Sequence, residues 1–264
     1  MIIDFHTHAF PDAIAERAIT GLVKSSGGMF PPCSDGTVSR LLFNMDAFGV
    51  DMSVLQPVVT KPSQTESLNR WAKSQKTDRI AAFGGIHPDT DDYKRDIDFV
   101  CSLGIRGLKF HVEYQGFLVD EPRMLRIYDY AFERGLMILH HAGFDPAFKP
   151  PFRSSPARFK NIARRMQGGV MIVAHFGGQS QWDEVVEELV GENVYLDTSM
   201  GQKYYSRKQF VDIVRAHGAD RILFGSDSPW SRADEEIALI NESPLTDTEK
   251  RLILGENAKM LLKI

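Results

Sequence analysis

Cysteine is nearly absent from this chain: 264 residues contain only Cys33 and Cys101, with no C-x-x-C spacing. That excludes a disulfide framework or a thiolate zinc cluster and suits a reducing compartment. Long apolar runs are missing as well. No stretch approaches the roughly 18 residues that a membrane-spanning helix needs. An excess of positive charge is lacking, since 31 Lys and Arg face 35 Asp and Glu for a formal net charge of -4. A nucleic-acid binder that works through bulk basic charge is therefore not expected. His6 arrives before the apolar core of a signal peptide would fit, so the cytoplasm is the expected location. No Gly-rich phosphate loop follows the first apolar run, which weakens a doubly wound nucleotide-binding sheet.

What is present is an alternation. Short runs rich in Val, Ile and Leu are separated by amphipathic stretches of helical length, the pattern of a parallel sheet. The expected strands are "IIDFH" (2–6), "SVLQPV" (53–58), "IAAFGGI" (80–86), "IRGLKFH" (105–111), "LMILHH" (136–141), "VMIVAH" (170–175), "VYLDTS" (194–199) and "RILFGSD" (221–227). Glycines 49, 104, 135, 168, 191 and 218 stand between a helical pattern and the next strand, where a left-handed C′ residue belongs. Pro122 opens one helix, and Thr246 with Glu249 forms a capping box at another. With no break in composition over residues 1–264, the expectation is a single domain, an α/β (β/α)8 TIM barrel.

In such barrels the active site lies where strands end and βα loops begin. The polar residues crowd there. Strand one ends with His6 and His8, whose i, i+2 spacing puts both imidazoles on one face. Lys109 and His111 end strand four, His140 and His141 strand five, His175 strand six, and Asp227 strand eight. His87 follows strand three. His217 sits at a helix end, where a cation would favour the helix dipole. Singly, each residue is better read as a loop hydrogen-bonder, and Asp227 as a turn cap in "SDSP". Convergence changes the balance. Several neutral imidazoles and a carboxylate gathered by barrel closure are costly unless a divalent metal satisfies their lone pairs. His87 and His111 remain as contacts behind the site or to substrate.

The ordered set "DFHTH", "GLKFH", "HHAG", "VAHFGG" and "FGSDSPW" resembles the metal-dependent amidohydrolase superfamily. The match is to its amidohydrolase 2 branch, which includes aminocarboxymuconate semialdehyde decarboxylase, and it covers nearly the whole chain. The resemblance implies that His6 and His8 are metal ligands and that His141 is the strand-five ligand, with His140 out of phase. His175 would be a ligand in a two-metal site, or would polarise substrate or water beside one metal. Asp227 would touch the metal and serve as general base. Lys109 falls where some two-metal members carry a carboxylated bridging lysine, and either bridges metals or binds a substrate anion.

Histidine and carboxylate ligands suit zinc, with manganese, iron and nickel as alternatives, at one or two ions. Lowering the pKa of bound water from about 15.7 to about 7 eases deprotonation by about 12 kcal/mol. The expected activity is therefore hydrolysis of a small-molecule amide, lactone or ester by a metal-activated water, with Asp227 as base and His175 stabilising the developing charge. The alternative is metal-dependent non-oxidative decarboxylation of an unsaturated or aromatic acid; a phosphoesterase of the TatD type ranks third. The loop "FDPAFKPPFRSSPARF", carrying Lys149, Arg153 and Arg158, is a candidate lid in which Arg153 anchors a substrate carboxylate. Trp230 is placed as a pocket wall and Trp182 as packing. Tyr204 and Tyr205 reach either the site or a second copy of the chain, which leaves a homo-oligomer open.

Overall fold

The computed structural model describes residues 1–166 and 168–264. Its eight parallel strands are β1 (Ile3–Thr7), β2 (Met52–Leu55), β3 (Ile80–Ala82), β4 (Gly107–Phe110), β5 (Met137–His140), β6 (Met171–Val173), β7 (Tyr195–Asp197) and β8 (Ile222–Leu223). All lie within or overlap the runs expected from the sequence; β2 to β8 stop short of the predicted end, whereas β1 runs one residue past it. The last residues of those runs leave the ladder to become the loops that carry the polar groups.

The strands pair in chain order as β1–β2–β3 and β4–β5–β6–β7–β8. Two parallel bridges join these runs, Gly84 with Leu108 and Thr7 with Ser228. Backbone bonds reinforce both seams: Gly84 donates to Gly107 and Lys109 to Gly84, while Phe5 donates to Phe224 and Asp227 to His6. The result is the (β/α)8 barrel.

Strand alternation divides the core in two. Ile3, Phe5, Val54, Phe83, Met137, Leu139, Ile172, Ala174 and Leu223 fill the barrel interior. Their neighbours Leu108, Phe110, Ile138, Val173 and Leu196 face outward into a larger core shared with the helices. At Gly107 a Cβ would come within 2.4 Å of the Phe83 ring, so the absent side chain makes room for that plug. Helix 38–48 ends as expected, with Gly49 at φ 73° in the left-handed region. The Thr246–Glu249 capping box forms, although its helix passes through a π segment at Leu252–Glu256. There Gly255 lies against the Met1 carbonyl, 2.2 Å from where its Cβ would be. No helix of the described residues is long and apolar enough to cross a membrane.

Candidate metal centre and pocket

The β1–β2 register steps from Asp4↔Ser53 to Thr7↔Leu55, so β1 carries one extra residue there. Such a bulge re-aims side chains. Phe5 enters the lower barrel and meets Phe83 edge-on at 5.7 Å, yet His6, the next residue, also faces inward, above it.

Hydrogen bonds fix the ring states. His6 Nδ1–H donates to Asp197 Oδ2 at 2.9 Å, and His8 Nδ1–H donates to the Gln56 carbonyl at 2.7 Å. Burial, followed by nearby Lys109, pushes the His6 pKa down to about 4, so the ring is neutral. Both Nε2 lone pairs therefore point inward. They lie 3.1 Å apart, and 3.3 Å and 3.1 Å from Asp227 Oδ1 for His6 and His8 respectively. Burial alone would raise the Asp227 carboxyl, but charge attraction to His6, His8 and His175, whenever one of them carries a proton, pulls it well below the usual range. Lys109 Nζ donates to His6 Nε2 at 2.9 Å, and burial lowers its pKa to about 8. Three acceptors thus meet with one ammonium between them.

A second chain of bonds flanks this trio. His141 Nδ1–H donates to His175 Nε2 at 3.0 Å, and His175 Nδ1–H to Ser199 Oγ at 2.9 Å. Ser199 Oγ–H in turn donates to Asp197 Oδ1 at 2.5 Å. Asp197 is fully buried and so braces His6 through one oxygen and His175, by way of Ser199, through the other. This direction of donation leaves the His141 Nε2 lone pair without a partner. His175 and Phe176 hold φ of 55° and 56°, and Asp227 65°, left-handed values that non-glycine residues seldom adopt. Trp182 Nε1–H donates to the His175 carbonyl, so this buried indole pins the turn.

His111, His141 and Asp145 also offer three donors close together. His111 Nε2 sits 3.3 Å from Asp145 Oδ2, but its ring stacks on His141 at 4.0 Å and 12°. In-plane lone pairs of parallel stacked rings do not converge on one ion about 2.1 Å from each. The group as placed is a polar wall.

Above these residues opens a cavity of about 390 Å3. His6, His8, Lys109, His111, His141, His175 and Asp227 form its floor and one wall, and Trp230 also lines it. Arg153, expected to anchor a substrate, does not. Its guanidinium pairs with Glu113 Oε2 at 2.6 Å, and its backbone N–H donates to the other Glu113 oxygen. Arg158 is likewise held by Asp120. The loop's arginines clip it to the segment after β4, a use that charge alone did not reveal. Tyr205 is buried and donates to the Thr198 carbonyl, whereas Tyr204 is 42% exposed and packs edge-on to Phe30.

One histidine, His217, differs from its sequence reading, and His140 is out of phase as expected. His217 is buried, with burial lowering its pKa to about 4; it donates to the Val194 carbonyl and accepts from Gly191 N–H. It is a neutral tie, not a cation at a helix end. His140 faces outward, stacked on Phe110 at 5.3 Å and edge-on to Tyr128 at 5.2 Å. Sequence reasoning missed Asp197, Ser199, Gln56 and Asp145. The inward parity of "LDTS" on β7 was the only signal for the first two.

A family model described as Amidohydrolase matches residues 3–264. The chain belongs to this amidohydrolase family. No curated protein sequence matches it. Among solved structures it resembles an uncharacterized TIM-barrel protein from Bordetella bronchiseptica, with 19% identity, TM-score 0.78, and 99% of this chain and 98% of that one covered. A 5-carboxyvanillate decarboxylase from Novosphingobium aromaticivorans, complexed with manganese and 4-hydroxy-3-methoxy-5-nitrobenzoic acid, matches at 13% identity and TM-score 0.74, over 100% and 96% of the two chains. A probable 2-pyrone-4,6-dicarboxylic acid hydrolase from Acinetobacter baumannii matches at 16% and 0.68, over 100% and 99%. Several further matches are decarboxylases of aromatic acids. At these identities the likeness establishes the fold.

The residues present fit a divalent cation. The Nε2 atoms of His6 and His8 and the Asp227 carboxylate face one point, with an orphaned His141 Nε2 nearby. Acceptors crowded in this way need a cation to offset their repulsion.

Proposed function

We propose that this protein is a metal-dependent, non-oxidative decarboxylase of an aromatic or unsaturated carboxylic acid. The observation that carries the reading is the contrast within one cavity. Its floor gathers His6, His8, Asp227 and Lys109, while its upper walls are largely apolar, from Ile14, Leu22, Phe30 and Phe144. A ring acid with an adjacent hydroxyl suits that division. The decarboxylases among the structural matches support it over the hydrolase expected from the sequence. The bound ion would be held by His6, His8 and Asp227, with His141 as a fourth donor. Zinc and manganese both suit two or three imidazoles and a carboxylate. When bound, it supplies a Lewis-acidic anchor for the substrate's carboxylate and hydroxyl oxygens.

The chain's own groups handle the proton. Asp227 is ionised at neutral pH, so it first acts as a base and takes the phenolic proton. It then delivers that proton to the ring carbon bearing the carboxylate. A C–H bond forms there, the C–C bond to the carboxylate breaks, its electron pair returns to the ring, and CO2 leaves. The phenolate is reprotonated from water. Lys109 neutralises the substrate anion, and the His141–His175–Ser199–Asp197 chain holds the imidazoles in their required tautomers. Apolar walls exclude water from the reacting carbon.

The test is to incubate manganese- or zinc-loaded protein with a panel of hydroxybenzoic acids in D2O. The expected result is CO2 release with one deuterium at the vacated ring position. Hydrolysis of lactones or esters by the same preparation, without CO2 release from any acid, would return the assignment to the hydrolase reading.

A further inference from the structure

Helix Asp12–Ser25 has one wide apolar face, and only part of it is covered by protein. Ala15 and Ile19 are buried in the protein. Ile14, Ala18 and Leu22, spaced i, i+4, i+8, are only half-buried and line the cavity instead. Phe30, Leu68 and Phe144 continue this lining beyond the helix.

The charges among the described lining residues are few. Lys109 is the only Lys or Arg among the lining residues, and Asp145 and Asp227 are the only carboxylates. The arginines of the adjoining loop are engaged elsewhere, Arg153 with Glu113 and Arg158 with Asp120. A divalent ion at the floor leaves the cavity one net positive charge, enough for one carboxylate. A second carboxylate in the upper cavity would lose its hydration and meet no cation, a costly state.

We infer that the substrate is a monocarboxylic acid bearing an extended apolar substituent, which lies along the Ile14–Ala18–Leu22 stripe. This rests on the proposed placement of the acid group at the metal and Lys109. It goes beyond that reading by specifying the other end of the molecule. Each methylene buried on the stripe should tighten binding roughly fourfold, from about 0.8 kcal/mol per buried methylene.

The test measures binding separately from turnover. Salicylate, its 5-ethyl, 5-butyl and 5-hexyl derivatives, and the 5-carboxy analogue are titrated calorimetrically into manganese-loaded protein. Affinity should climb roughly fourfold per methylene until the chain reaches the cavity mouth. The dicarboxylate should bind at least about tenfold more weakly than salicylate, for want of a cation. A flat alkyl series, or a dicarboxylate that binds as well as salicylate, would overturn the inference. Leu22→Gln tests the location without adding charge: the gain per methylene, taken relative to salicylate in the same variant, should largely disappear. Leu22→Ala gives a milder form of the same loss. An unchanged alkyl gain in Leu22→Gln would place the substituent elsewhere and equally refute the assignment. Alkyl-dependent binding without CO2 release would retain this inference and retire the decarboxylase; CO2 release with a flat series would do the reverse.

Discussion

Replacing Asp197 by Asn tests the bracing of the metal centre with a change of one atom. The native carboxylate only accepts: Oδ2 takes the His6 Nδ1–H, while Oδ1 takes Ser199 Oγ–H and the backbone N–H groups of Ser199 and His175. An asparagine amide can satisfy one side alone. If its NH2 faces His6, the ring must shift its proton to Nε2 and lose the lone pair directed at Asp227 and His8. If its NH2 faces the other way, donor meets two backbone donors in a fully buried site, at about 1–3 kcal/mol. Loss of such a carboxylate behind a ligating histidine lowers metal affinity or activity by about 10- to 100-fold, equivalent to about 1.4–2.7 kcal/mol. The assay is competition between the protein and a chromophoric chelator for zinc and for manganese, with urea unfolding of metal-free protein as the control for folding. The expected variant folds and binds each metal at least about tenfold more weakly. Wild-type metal affinity and wild-type turnover in Asp197→Asn would refute the bracing role.

Asp227→Asn should preserve the fold and abolish turnover, because the amide cannot take the substrate proton; full activity in that variant would remove Asp227 from the chemistry. Arg153→Ala should cost about 1–3 kcal/mol in urea unfolding, since buried Glu113 loses a partner, yet leave KM within about twofold. A large rise in KM with unchanged stability would restore the substrate anchor read from the sequence. His217 titrates at about 4 in the folded state against an ordinary 6.5, so the native protein binds fewer protons between those values. Stability from this residue is complete above pH 6.5 and declines as the pH falls towards 4, by about 3 kcal/mol in all. His217→Gln in metal-free protein should show a correspondingly flatter decline, and equal slopes for the two proteins would contradict the neutral-tie reading.

Much of the architecture was legible because parallel strands buried on both faces read as short apolar runs, and because helix ends leave Gly, Pro and Ser/Thr signatures. The strand ends were less so. "SVLQPV" and "IAAFGGI" keep their apolar character beyond Leu55 and Ala82, where pairing stops, so hydropathy could not mark the boundary. The placement of the site residues follows side-chain direction, which alternation gives only while register holds. His141 and Leu139 share the inward parity of β5, and His140 goes outward into an aromatic box. On β1 the bulge breaks that parity, and nothing in "IDFHT" announces it. Charge partners were the least legible of all. Arg153 and Glu113 are 40 residues apart and meet only after β4 and β5 are side by side. Asp197 looked like the end of an ordinary strand until barrel closure set it against His6 from the far side of the chain.

Metal content per chain shows whether His6, His8 and Asp227 together hold a single ion. Protein is stripped with chelator, reloaded with zinc or manganese, desalted and measured by plasma emission, alongside the His6→Ala/His8→Ala double variant. About one ion per wild-type chain and a near-complete loss in the double variant are expected, since two of three close donors are removed. About two ions per wild-type chain, or unchanged content in the double variant, would contradict a one-ion centre on these residues.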